Sequence, residues 1–109
     1  MTMTIITTDQ PVVTLINSFT VAPERQDELI RLLVEATEQV MRHRPGFVSA
    51  NIHRGLEGTR VANYAQWRSR EDFEAMLGDP AAQAHMREAA GIASFDPVLY
   101  EVADTVHVE

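Results

Sequence analysis

Apolar and polar residues alternate from Val12 to Val21, VVTLINSFTV, placing Val13, Leu15, Asn17, Phe19 and Val21 on one face of a β-branched strand. The period then changes. Pro23 suits a first helical position, Glu24, Asp27 and Glu28 occupy the opening turns, and Leu29, Leu33, Ala36 and Val40 recur at helical spacing. This predicts a helix from Pro23 to Arg44, stopped by Pro45-Gly46. Alternation resumes from Phe47 to Arg54 and, after the turn-like Gly55-Leu56-Glu57-Gly58, from Arg60 to Arg68, so the two runs pair as a hairpin. Ser69, with Asp72 three residues on, forms an acidic variant of the capping box and starts a helix that buries Phe73, Met76 and Leu77. Gly78-Asp79-Pro80 breaks this helix, and a second piece carrying His85 and Arg87 continues to Ala90. A last alternating run, Val98, Tyr100, Val102, Val106 and Val108, predicts the fourth strand.

The order β-α-β-β-α-β predicts an α+β, ferredoxin-like split βαβ domain spanning residues 12–109, with strands one and three as central neighbours and both helical segments on one side. The other sheet face would carry Ile16, Ala62 and Tyr64, with Val48, Ala50 and Ile52 as candidates to join them. An apolar face with no helix to cover it points to a homodimer paired through the sheet. Residues 1–11, MTMTIITTDQP, are Thr-rich without clear alternation. They are expected to form a flexible arm, or a strand that orders only against a partner subunit.

Each predicted core stripe is interrupted by one asparagine, Asn17 on strand one and Asn63 on strand three. An unpartnered buried amide costs about 1–3 kcal/mol, so such a position needs a reason. Either the two amides bond each other or nearby backbone, or they form a polar lining in an apolar pocket. Trp67 shares Asn63's face roughly 13 Å further along the strand at about 3.3 Å per residue, a span that suits a flat polycyclic ligand. As core filler it would still need a partner for its indole N–H.

Composition removes other chemistries. The 109 residues suffice for one domain, and the net charge of −7, with nine scattered arginines as the cations, argues against nucleic acid. The chain has neither lysine nor cysteine, which excludes a lysine Schiff base, thiolate metal sites and thiol nucleophiles. Its five glycines are isolated, so no GxGxxG can seat a dinucleotide, and the histidines lack metal-ligand spacing. His43 and His107 read as solvated, while His53 and His85 are candidate acid–base groups. The longest apolar run is too short to span a membrane, and no charged secretory start precedes Arg25, so a cytoplasmic location is expected.

With LINSFTV in strand one, PGFVSANIHR and VANYAQW in the hairpin and SREDFEAMLGDPAAQAHMREA in the second helical segment, the chain resembles the antibiotic biosynthesis monooxygenase family from about Val12 to Val108. Within it the likeness is to cofactor-independent anthrone oxygenases of aromatic polyketide pathways. The resemblance implies a dimer that uses molecular oxygen, without a cofactor, to oxidise a polycyclic anthrone to the quinone. It implies Asn17, Asn63 and Trp67 as catalytic residues and Phe19, Phe73, Met76 and Leu77 as apolar walls; His85, an acid–base candidate from the residues themselves, is expected to bind substrate as well. His53 and Arg87 fall where such enzymes place a strand-two histidine and a helix-two arginine, and are expected at the substrate as secondary candidates for proton transfer and anion stabilisation. Phe73 stands where some members have a tyrosine, which leaves no tyrosine-assisted protonation there. Haem-degrading relatives would need a tryptophan where this helix has Met76 and Leu77. A quinol monooxygenase of the same family and a non-catalytic ligand-binding dimer are the rival readings of these residues.

Overall fold

The computed structural model of the protein describes residues 3–109. Strands β1 (Val13–Val21), β2 (Phe47–Arg54), β3 (Arg60–Trp67) and β4 (Ala93–Tyr100) form one antiparallel sheet in the order β2-β3-β1-β4. Helices α1 (Gln26–Gln39), α2 (Arg70–Leu77) and α3 (Pro80–Ala90) pack on one side of it, giving the ferredoxin-like arrangement with β1 and β3 at the centre. No helix among the described residues is long and apolar enough to cross a membrane.

The first helix is shorter than its periodicity predicts. Single 3₁₀ turns, Pro23–Arg25 and Met41–His43, replace its ends, and Val40 leaves helical geometry at φ −125° and ψ −62°. Pro45 forces Arg44 into extended backbone, ψ 144°, so the chain must leave the helix before it arrives there. Gly46 then turns at φ +83°, a left-handed conformation that glycine adopts without a Cβ clash. Its carbonyl accepts a 2.7 Å bond from the Arg68 amide, tying the start of β2 to the end of β3.

Two expectations about the strands fail. Phe47 pairs with Trp67 but Ser49 pairs with Gln66, so Val48 is an extra residue in β2 that reverses the alternation. Ala50 and Ile52 consequently face the helices beside Ala65 and Asn63, not the outer face. The last strand begins at Ala93 and ends at Tyr100, opposite Thr14. β1 starts only one residue earlier, at Val13, so no partner strand remains for Val102, Val106 or Val108, and the last two are 91% and 99% exposed.

Two apolar clusters hold the layers together. Leu15, Ala65 and Trp67 pack with Phe73, Met76 and Ala82 near one end of the sheet, while Phe19, Val21 and Val61 pack with Leu29 and Ala89 near the other. Leu29 is fully buried, a contribution of about 1.5–3 kcal/mol from that side chain alone. On the outer face Gln66, also fully buried, accepts from Ser49 and donates 2.7 Å to the carbonyl of Ile5. The Asn51 amide meets the Thr4 hydroxyl at 2.8 Å, so part of the N-terminal arm lies on this face.

Candidate active site

Between the two clusters the central strands bring Asn17 and Asn63 directly opposite one another. The rungs on either side, Leu15 with Ala65 and Phe19 with Val61, are apolar and buried. Both asparagine Oδ1 atoms are buried and neither has a hydrogen-bond partner among the described residues. The amides therefore do not bond each other, since that bond would need one of these oxygens as acceptor. The pairing that would have made them a self-satisfied core feature is absent.

The two amides border a cavity of about 330 Å³ enclosed between the sheet and all three helices, within the usual size range of small-molecule sites. Its floor includes Phe19 and Trp67, and α2 contributes Phe73, Met76 and Leu77. Leu77 is 39% exposed, so it meets solvent as well as the cavity. Trp67 is only 2% exposed and is held edge-on between Phe47 and Phe73, at centroid separations of 5.5 and 6.1 Å. Such pairs fix a ring's plane as well as burying it. Phe73 is carried to this position by α2, whose start Ser69 Oγ caps by accepting from the Asp72 amide at 3.1 Å. Asp79 caps α3 in the same way through the Ala82 amide at 3.0 Å, and α3 presents His85 to the cavity.

His53 and Arg87 do not line this cavity. His53 is exposed and shares the outer face with Ala62, its ring nitrogen 3.1 Å from the Asn51 carbonyl. The bulge at Val48 places it there by setting the face of every later β2 residue. Arg87 is exposed on α3, two residues from His85 and hence about 200° round the helix.

Sequence reasoning missed the rest of the wall. Thr37 and Met41 enter from the α1 side, Met86 from α3, and Phe95, Pro97 and Leu99 from β4. The Phe95–Pro97–Leu99 alternation was present in the sequence, but a proline inside a run argues against a strand unless that strand lies at an edge, as β4 does.

Among the described residues no group of three or more histidines and carboxylates could hold a metal ion. Arg25 and Glu28 shift each other's pKa, Arg25 upward and Glu28 downward, chiefly through their 2.9 Å hydrogen bond on the exposed surface. Neither residue borders the cavity.

Residues 12–88, which hold both asparagines, Trp67 and the capped α2, match the family model described as antibiotic biosynthesis monooxygenase. The chain belongs to that family. A curated member, the tetracenomycin-F1 monooxygenase of Streptomyces glaucescens, is 49% identical over 89 residues, covering 82% of this chain and 80% of its own. Among solved structures, the ActVA-Orf6 monooxygenase of Streptomyces coelicolor in complex with nanaomycin D superposes with a TM-score of 0.78 at 25% identity, covering 92% of this chain and 95% of that one. SnoaB of Streptomyces nogalater, a cofactor-independent oxygenase, shares the fold with a TM-score of 0.77 at 24% identity, over 88% and 97% of the two chains. The activity that family membership and the curated relative support is monooxygenation.

Proposed function

We propose that the protein is a cofactor-independent monooxygenase of aromatic polyketide biosynthesis that oxidises a polycyclic anthrone to the quinone with molecular oxygen. The observation that carries this reading is the Asn17–Asn63 rung, two unpartnered amide oxygens set in an otherwise apolar cavity. A hydroxylated anthrone has the complementary groups. Its phenolic O–H can donate to an Oδ1, and its carbonyl oxygen, negatively charged in the enolate, can accept from the amide N–H groups. Trp67, its plane set by two phenylalanines, would orient the fused rings. The apolar walls lower the local dielectric and strengthen those hydrogen bonds.

Such a substrate supplies the electrons itself. Loss of a proton from the ring CH₂ gives a delocalised enolate, which passes one electron to oxygen. The resulting radical and superoxide combine by forming a C–O bond, and the peroxide is protonated. Removal of the second C–H proton then breaks the O–O bond, leaving the quinone carbonyl and water. Anthrone plus oxygen thus becomes quinone plus water, with no external reductant. SnoaB, described as cofactor-independent, and ActVA-Orf6, seen with the polyketide nanaomycin D, support this reading. We also take the protein to be a homodimer, paired through the outer sheet face where Val98 and Tyr100 are exposed.

Oxygen uptake and quinone absorbance, measured with the purified protein and a hydroxylated anthrone after removal of metals and flavin, test the proposal. Stoichiometric uptake is expected. Unaccelerated oxidation across a panel of tricyclic and tetracyclic anthrones would refute it.

A further inference from the structure

We propose that His85 is the general base of this site, taking the proton from the substrate's reacting carbon. The inference rests on the anthrone reading for the identity of that carbon acid. Of the described residues lining the cavity, from every strand and helix that borders it, His85 alone is ionisable. The other polar side chains there, Asn17, Asn63 and Thr37, cannot serve as a base near neutral pH. The Trp67 indole is a donor only.

Position supports the role. Along α3, Ala82 packs in the cluster containing Leu15 and Ala65, and Ala89 packs in the one containing Phe19 and Val61. The asparagine rung lies between those two rungs. His85 lies between those two alanines, three residues after one and four before the other, on the same helical face. Seven residues of helix rise about 10.5 Å, and four residues of strand about 13 Å. The two spans run alongside, so His85 stands across the cavity from Asn17 and Asn63. A flat substrate between them would meet amides on one side and imidazole on the other.

The ring is largely buried and free to accept a proton. Its side chain is 17% exposed, and Nδ1 is buried without a hydrogen-bond partner. Glu88 Oε1 lies 4.0 Å from Nδ1, one helical turn on, too far for a hydrogen bond but close enough to receive one after a small rotation when the ring becomes charged. Among the described residues Glu88 is the one carboxylate within 4.0 Å of the ring, and no other ionisable side chain lines the cavity.

In the first step neutral His85 accepts the CH₂ proton while the C–H electron pair moves to the carbonyl oxygen held by the amides. After carbon–oxygen bond formation the imidazolium returns this proton to the peroxide. His85 then takes the second C–H proton as the O–O bond breaks, and that proton joins the departing hydroxide as water.

Deuterium wash-in at the anthrone CH₂, followed without oxygen in D₂O, isolates this proton transfer from the oxidation. The wild-type protein should accelerate exchange, with an acid limb in its pH profile. H85Q should lose the limb and about 10²–10³ of the acceleration, while still quenching the fluorescence of Trp67, the only tryptophan, at similar anthrone concentrations. H85A should regain exchange when imidazole is added. Exchange by a folded H85Q or H85A within threefold of wild type would overturn the assignment. So would a wild-type protein that binds anthrone without accelerating exchange. Wild-type exchange without oxygen uptake would instead refute the oxygenase reading and leave His85 as the base.

Discussion

Replacing Asn63 by leucine should make this protein more stable and less active. Asn63 lies in a stripe whose neighbours Val61, Ala65 and Trp67 are 1–2% exposed, and its Oδ1 has no partner. An unsatisfied buried polar atom costs about 1–3 kcal/mol. Because the side chain is half-buried beside an open cavity, the low end applies, about 1 kcal/mol. Leucine has nearly the same reach, and its extra methyl volume can enter the cavity, adding up to about 1 kcal/mol of apolar burial. The expected gain is roughly 1–2 kcal/mol. For a domain of this size that raises Tm by about 4–8 °C per kcal/mol, and in urea it appears as a higher midpoint at unchanged slope. Anthrone turnover should fall by about 10²–10³, the usual effect of losing one oxyanion donor. The opposite stability result is decisive. If Asn63→Leu lowers stability by about 1 kcal/mol or more, the amide is hydrogen-bonded inside the fold, and the rung is a core feature and not a ligand site. Asn17→Leu should behave alike, but the two effects should not simply add, because the residues are direct cross-strand neighbours.

Two further outcomes separate the cavity from its surroundings. Ser69→Ala removes the cap of α2 and should cost about 1 kcal/mol, seen as a lower urea midpoint, with turnover per folded molecule largely retained. His53→Ala should leave oxygen uptake within about twofold of wild type, as expected for an exposed side chain outside the cavity. A hundredfold loss would return His53 to the site.

Much of the site was legible because strand chemistry is periodic. Alternation at a period of two placed Asn17 and Asn63 on the same faces as Leu15, Phe19, Val61 and Trp67, and the β1–β3 register agrees. The Ser69 cap and the Gly78-Asp79-Pro80 break were equally readable, since each is local chemistry between residues a few positions apart. Where an outcome depended on a neighbour in space, the sequence misled. The bulge at Val48 exists in the pairing of β2 with β3, and it alone turned Ala50 and Ile52 toward the helices and left His53 on the outer face. β4 ends at Tyr100, opposite Thr14, because β1 has only Val13 beyond that point, although Val102, Val106 and Val108 continue the alternation.

The sequence by itself determined which residues break the core pattern, because burial and alternation are properties of each strand alone. It left undecided whether the two amides satisfy one another, since that depends on side-chain geometry across a rung. Tertiary structure resolved this by leaving both oxygens unpartnered beside a cavity. It also made His85 the one ionisable residue lining that cavity, a distinction that arises only when α3 is laid over the sheet between the two apolar clusters.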